Sequence, residues 1–382
     1  MIMGQRARFA AFGVMLFCIY LALPGCQNPH SQLNTEAPAE ADKPMYAQGF
    51  TIQQEGQFNR LNILNPWNKT QCMFSCLMVP ESTDTTSMHL KGNVLFTPVK
   101  SLICLSSTQW KGLSMLGGID NIKGISEASF VRDETIQSRL KQGLITEVAA
   151  NNAFKTELIV NIHPDAILYS PDPAGIPSVL LQTGGLLLPW PDYFEQHPLG
   201  RAEWIKVCGV LLQKEQAADS LFNQIRNAYL EVKQLAAGAK LKPGIFADKQ
   251  FSGQWYIPGG KSYMARMFAD AHSHYIWEDN GATASFPLDI ETIVARAGEA
   301  DFWRIAHAAP ENYSYAELAA EHEIYSQFKA FKQKQVIFCN TTTTAYFEKG
   351  PFEPHLQLAD LVACMHPELL HGHNFTYYTL LK

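Results

Sequence analysis

The sequence has 382 residues, 47% hydrophobic, 17% charged and 11% aromatic, with 25 Gly and 21 Pro; this excludes disorder and collagen-like repeats and supplies core enough for two domains. Lys and Arg total 30 against 36 Asp and Glu, a net charge of −6, and a chain of that sign repels phosphate backbones, which argues against a nucleic-acid partner. Residues 1–8 carry Arg6 and Arg8, residues 9–21 are apolar, and Leu23-Pro24-Gly25-Cys26 follows. This pattern reads as a secretory signal over 1–25 ending in a lipobox, with Cys26 the lipidated residue. The apolar run is too short to span a bilayer comfortably, whereas several acyl chains on one residue anchor stably. Removing 1–25 takes away two Arg and no acid, leaving 28 bases against 36 acids, or −8.

Export into an oxidising compartment makes the cysteines informative. Beyond Cys18 and Cys26 there remain Cys72, Cys76, Cys104, Cys208, Cys339 and Cys364, too scattered for a disulfide scaffold and read as buried apolar residues. Cys72 and Cys76 share one strand face roughly 13 Å apart, so a bridge requires a turn between them.

Residues 26–48 are polar and rich in Pro and Ala, a tether. Residues 49–98 hold alternating runs at 58–64 and 72–79, predicting a small antiparallel leader. From 99 to 197 short apolar runs at 101–106, 122–126, 165–170 and 177–182 alternate with helical segments, predicting an α/β lobe with a largely parallel sheet. Residues 198–236 form the longest helical stretch, opened by Pro198, with Gly209 and Lys214-Glu215 as candidate breaks. A second α/β lobe occupies 237–382, with strands at 243–248, 301–306 and 335–340 and helices near 261–270, 289–297, 314–329 and 354–365. Each lobe repeats a Glu-x-Ile-Val segment, at Glu157 and at Glu291, followed by an Asp and a strand, which hints at pseudo-symmetry.

Five blocks in order carry a resemblance: VKSLICLSSTQWKGLSMLGGIDNIKGIS, TELIVNIHPDAILYS, PWPDYFEQHPLGRAEWIKVCGVLLQKEQAADSLFNQIRNAY, QWYIPGGKSYMARMFADA with PLDIETIVARAGEADFW, and LQLADLVACMHPEL. Over roughly residues 94–370 the chain resembles the periplasmic binding proteins that deliver cobalamin, ferric siderophores or haem to ABC importers. It departs from the pattern at Asn161-Ile162-His163 and at Glu353-Pro354-His355. The resemblance implies two Rossmann-like lobes joined by a long interlobe helix, with a ligand cleft between the lobes and no covalent chemistry. Glu157 and Glu291 then stand where the family presents one carboxylate per lobe to the permease; without the resemblance each reads as a solvated first-turn Glu. It implies as partners a permease with its ATPase and a metal-chelate ligand, in a monomer held by its lipid on the periplasmic side of a Gram-negative envelope.

Large, partly apolar ligands are best held by aromatic faces with a few polar groups. The loops expected at the cleft supply Ser107, Thr108, Gln109 and Trp110, then Trp190 and Tyr193, then Trp255 and Tyr256, with Phe286 further on. Pro258-Gly259-Gly260-Lys261-Ser262 opens a helix whose N–H groups are candidates for an anionic ligand edge, although it lacks the spacing of a nucleotide P-loop. His272, His274, His366, His371 and His373 form two groups that leave open a direct metal-ion-binding lipoprotein or one axial haem ligand, though no acid or cysteine stands at motif spacing. A lipid-anchored hydrolase is the rival enzyme reading, and neither G-x-S-x-G nor H-E-x-x-H occurs. No resident cofactor is expected, and cobalamin, siderophore and haem all suit an aromatic cleft.

Overall fold

The computed structural model describes residues 44–151 and 153–382; the expected signal, the expected lipidation site Cys26 and the expected tether through residue 43 lie outside the described residues. The leader comprises β1 (Phe50–Glu55), β2 (Phe58–Leu64), β3 (Cys72–Pro80) and β4 (Asn93–Thr97), hydrogen-bonded in that order. The first three strands are antiparallel as the alternation predicts, but β4 runs parallel to β3, pairing Asn93 with Cys76. Cys72 and Cys76 both belong to β3, and a continuous strand provides no turn to bring them together.

The next lobe contains β5 (Leu102–Cys104), α1 (Ser107–Met115), β6 (Ile122–Ser126), α2 (Glu134–Lys141), β7 (Thr146–Ala150), β8 (Ala153–Phe154), α3 (Thr156–Ile162), β9 (Ala166–Tyr169) and β10 (Leu186–Pro189). Its sheet runs β10-β9-β5-β6-β7-β8, parallel except for the β7–β8 pair. Every residue of β5 and β9 is buried, because helices cover both faces of a parallel sheet and its strands must be apolar throughout. The strand expected at 177–182 is instead a tight turn, Leu180–Gln182; the edge position beside β9 goes to β10.

The long helical stretch is three helices, α4 (Pro198–Glu203), α5 (Ile205–Leu212) and α6 (Glu215–Ala236). Gln213 adopts a left-handed backbone (φ 55°) that turns α5 back against α6. There a Cβ on Gly209 would stand 2.7 Å from the Ala218 Cβ, so only glycine permits that approach. Helix α6, ~33 Å long at 1.5 Å per residue, buries Ala218, Phe222, Ile225 and Tyr229 along one stripe. It joins the lobes: at its start Lys214 Nζ donates to Leu116 O (2.7 Å), and near its end Tyr229 Oη donates to Asp270 Oδ2 (2.9 Å).

The last lobe contains β11 (Gly244–Ala247), β12 (Gln250–Phe251), β13 (Gln254–Ile257), α7 (Tyr263–Asp270), β14 (His274–Tyr275), β15 (Phe286–Leu288), α8 (Ile290–Ala297), β16 (Phe302–His307), α9 (Tyr315–Glu321), α10 (Lys329–Lys332), β17 (Val336–Asn340), α11 (Pro354–Met365) and β18 (Thr379–Leu380). Its main sheet runs β14-β11-β16-β17-β18, and β12-β13-β15 forms a small antiparallel sheet. Between β17 and α11 the chain crosses to the first lobe: Ser107 Oγ donates to Phe347 O (2.9 Å), and Arg132 N donates to Glu348 Oε1 (2.5 Å). Cys76, Cys104, Cys208, Cys339 and Cys364 are buried and unbridged. Among the described residues no helix is long and apolar enough to cross a membrane.

Candidate functional site

Between the two α/β lobes lies a cavity of about 270 Å³. The first lobe contributes Ser106, Ser107 and Thr108, where β5 passes into α1, and Ser170 after β9. These positions follow the C-terminal ends of parallel strands, where loops gather in open α/β sheets. The run into the interlobe helices contributes Asp192, Tyr193, Pro198 and Arg201. The second lobe faces them with Tyr263 and Met267 from α7, Tyr346 and Phe347 from the crossing segment, and Gln357 from α11.

Arg201 is the cationic group of this wall. Its Nη2 donates to Asp192 Oδ2 at 3.0 Å and its guanidinium lies 4.7 Å from the Tyr263 ring centroid. Burial works against the Arg201 charge, and the Tyr263 and Asp192 oxygens more than offset it. Burial pushes the Asp192 carboxyl up, and Arg201 draws it part of the way back. Across the cavity the Tyr346 oxygen accepts from Arg304 Nη2 (2.6 Å) and from Tyr378 Oη (3.3 Å), so its own O–H is left to donate. Arg304 is itself fixed by Asp248 Oδ1 at 2.6 Å. The arrangement offers an aromatic wall with a guanidinium fork and a phenol, suited to acceptor oxygens on a ligand's rim.

Of the residues singled out in the sequence, the cavity wall takes Ser107, Thr108 and Tyr193. Tyr193 is anchored by donating to Pro171 O at 2.8 Å. The cleft expectation is corrected for the others. Gln109 is fully buried and caps its own helix, accepting from Ser106 N at 3.0 Å. Trp110 packs into the core on the inner face of α1, and Trp190 lies against Trp204 with ring centroids 4.9 Å apart. Trp255 packs against Trp303 and donates Nε1 to Ala247 O (3.0 Å). Tyr256 points outward from β13, where strand alternation sends its neighbour Trp255 inward, and Phe286 on β15 is half-buried; both are away from the cavity. In the loop 258–262, Lys261 N is taken by Ala282 O (2.9 Å) and Ser262 N by Gly259 O (3.0 Å), so these donors are not free for an anion.

The histidines go to separate tasks. His366 and His272 have ring centroids 6.1 Å apart, and a His366 ring nitrogen pairs with Ala271 O. His274 meets Glu278 at 3.0 Å, and His373 meets the buried Asp360 at 2.6 Å. Among the described residues no three His, Cys, Asp or Glu side chains converge. Glu157 and Glu291 are exposed in the first turns of α3 and α8, which precede β9 and β16, the strands beside β5 and β11 in their sheets.

Sequence reasoning missed Arg201, Tyr263, Tyr346, Phe347 and Gln357. Arg201 lies inside the quoted Gly-Arg-Ala-Glu-Trp run, and Tyr346-Phe347 lie in the loop after β17. The loop rule that selected residues 107–110 applies equally there.

With this geometry in place, the comparisons are specific. The sequence model of a family described as periplasmic binding protein matches residues 102–342. An uncharacterized lipoprotein of Methanocaldococcus jannaschii, MJ0878, is 24% identical over 413 residues, covering 98% of this chain and 97% of the relative. A second protein of that organism, the uncharacterized MJ0642, is 26% identical and covers 66% of this chain and 76% of its own. A periplasmic heme binding protein from Pseudomonas aeruginosa superposes with TM-score 0.58 at 17% identity, covering 74% of this chain and 98% of that one. A possible iron-binding (periplasmic solute-binding) protein from Staphylococcus epidermidis gives 0.54 at 17%, covering 71% and 100%. At these identities the structural likeness is one of fold.

Proposed function

The chain belongs to the periplasmic binding protein family, and on that premise we propose that it is the lipid-anchored solute-binding component of an ABC importer. Its ligand is an iron complex, a siderophore or haem, or cobalamin. The observation that carries this reading is the interlobe cavity walled by Tyr193, Tyr263, Tyr346 and Arg201. Flat aromatic faces supply contact area at small rotamer cost, and a few fixed donors orient the polar rim of a chelate. The protein's work is differential affinity, and meeting the permease shifts the cleft toward release. Glu157 and Glu291, one exposed carboxylate per lobe at matching places in the two sheets, support docking of the permease across both lobes. Cys26 and the tether support a place at the envelope, facing the periplasm of a Gram-negative cell.

The test is tryptophan fluorescence of residues 27–382 titrated in parallel with cyanocobalamin, haemin, a ferric triscatecholate and a ferric trihydroxamate. These ligands are coloured and quench by energy transfer, so the buried Trp190–Trp204 pair reports without touching them. Saturable quenching by one ligand is the expected result and names the cargo. No binding of any of the four to folded protein overturns the reading.

A further inference from the structure

Residues 45–49, the first stretch of the body after the tether, present five consecutive main-chain N–H groups to two carboxylates. Glu203 accepts from Met45 N (3.0 Å), Tyr46 N (2.7 Å) and Ala47 N (2.9 Å). Glu195 accepts from Gln48 N (2.8 Å) and Gly49 N (2.9 Å). Glu203 is 0% exposed and Glu195 2%. The seat is close: a Cβ on Gly200 would come within 3.1 Å of Tyr46 O, and one on Gly49 within 2.8 Å of the Trp204 ring. The Tyr46 ring lies 4.9 Å from His197, and Phe50 lies 5.1 Å from Trp204.

The run 192–203 that supplies both carboxylates also faces the cavity, with Asp192, Tyr193 and Arg201. Arg201 and Glu203 share α4, a helix of six residues, and Glu195 directly follows the tight turn Asp192–Phe194. Grip and cavity wall thus share one short element: Glu203 holds residues 45–47 and Arg201, two residues earlier, reaches the cavity.

We infer that Glu195 and Glu203 are positioning residues for the cavity: by gripping residues 45–49 they set where Tyr193 and Arg201 stand in its wall. Seating of the segment and geometry of the cavity are then one coupled equilibrium, and the coupling is reciprocal. The ligand side of this inference rests on reading the cavity as the solute site.

Amide hydrogen exchange on residues 27–382 tests the coupling without any ligand. Arg201→Lys keeps the charge, removes the fork from the cavity wall and touches none of residues 45–49. Exchange at 45–49 is expected to rise about tenfold, within the usual range of site coupling, while the amides of β2 and β16 hold their rates. Unchanged exchange at 45–49, or an equal rise everywhere, overturns the inference. In a second arm Tyr46→Ala loosens the segment from outside the cavity. The affinity of whichever of the four chelates binds is expected to fall about tenfold, and an unchanged affinity counts against the coupling. If none of the four binds, the solute reading of the cavity fails, and the exchange result still decides the inference.

Discussion

Glu203→Ala gives the most direct measure of how much the grip on residues 45–49 stabilises the protein. The carboxylate receives three main-chain donors, and Lys206 Nζ stands 3.1 Å from Oε1. A hydrogen bond to a charged group contributes about 1.5–3 kcal/mol, but donors sharing one carboxylate do not add in full. Leaving a buried donor unpaired costs about 1–3 kcal/mol, and with two of the three donors only part-buried a total of about 3–5 kcal/mol is the magnitude expected here. At about 2 °C per kcal/mol, the low end for large domains, Tm falls by about 6–10 °C. Differential scanning calorimetry of residues 27–382 reads this shift, with Glu231→Ala, exposed on α6, as a control held within about 0.5 kcal/mol of wild type. A Glu203→Ala shift no larger than the control's would refute the reasoning, since the three N–H groups of Met45, Tyr46 and Ala47 would then find equal partners in water.

Burial pushes the Glu195 carboxyl up to about 7 from 4.5, with Trp204 Nε1 and two main-chain donors pulling against it. The folded state therefore takes the proton first. Its contribution is whole below pH 4.5 and is lost as pH rises through 7, about 3 kcal/mol across that window. Relative to Glu195→Gln, wild-type urea midpoints are expected to rise between pH 7.5 and 4.5, and parallel curves would exclude this. Tyr346→Phe removes a phenol O–H from the cavity wall, so ligand affinity should fall about five- to tenfold; equal affinity in parallel titrations removes Tyr346 from the site. Glu157→Lys with Glu291→Lys is expected to abolish stimulation of the permease ATPase in vesicles while leaving chelate affinity within about twofold. Loss of both together would mean that the two carboxylates serve the fold or the cleft instead of docking.

The strands most legible in the sequence were those buried on both faces. The runs around β5, β9, β11, β16 and β17 are nearly uninterrupted apolar segments, which parallel pairing requires. The runs at 177–182 and 186–189 each hold three consecutive apolar residues, and only the second pairs with β9; partner choice is a long-range property that neither run carries. The site was harder to read for a related reason. Residues 254–257 alternate, so one of Trp255 and Tyr256 must face the core, but the alternation does not say which. The larger ring went inward, where full burial gains most. Glu195 and Glu203 find their partners 146 to 158 residues away, and nothing local marks a Glu in a helical run as an acceptor for main-chain amides.

The five buried thiols give the folded chain a particular chemistry with time. Burial raises Cys76 and Cys364 to about 12 and Cys339 to about 11, so at neutral pH about one molecule in ten thousand or fewer carries the reactive thiolate at each. Native protein is thus inert to oxidants at these positions. An unfolded chain in an oxidising medium is not, because its thiols regain ordinary acidity and exchange at once. Each excursion to the open state risks a mixed disulfide that the native packing has no room to accept. In an oxidising medium the lifetime of the protein is then governed by how rarely it opens rather than by its equilibrium stability.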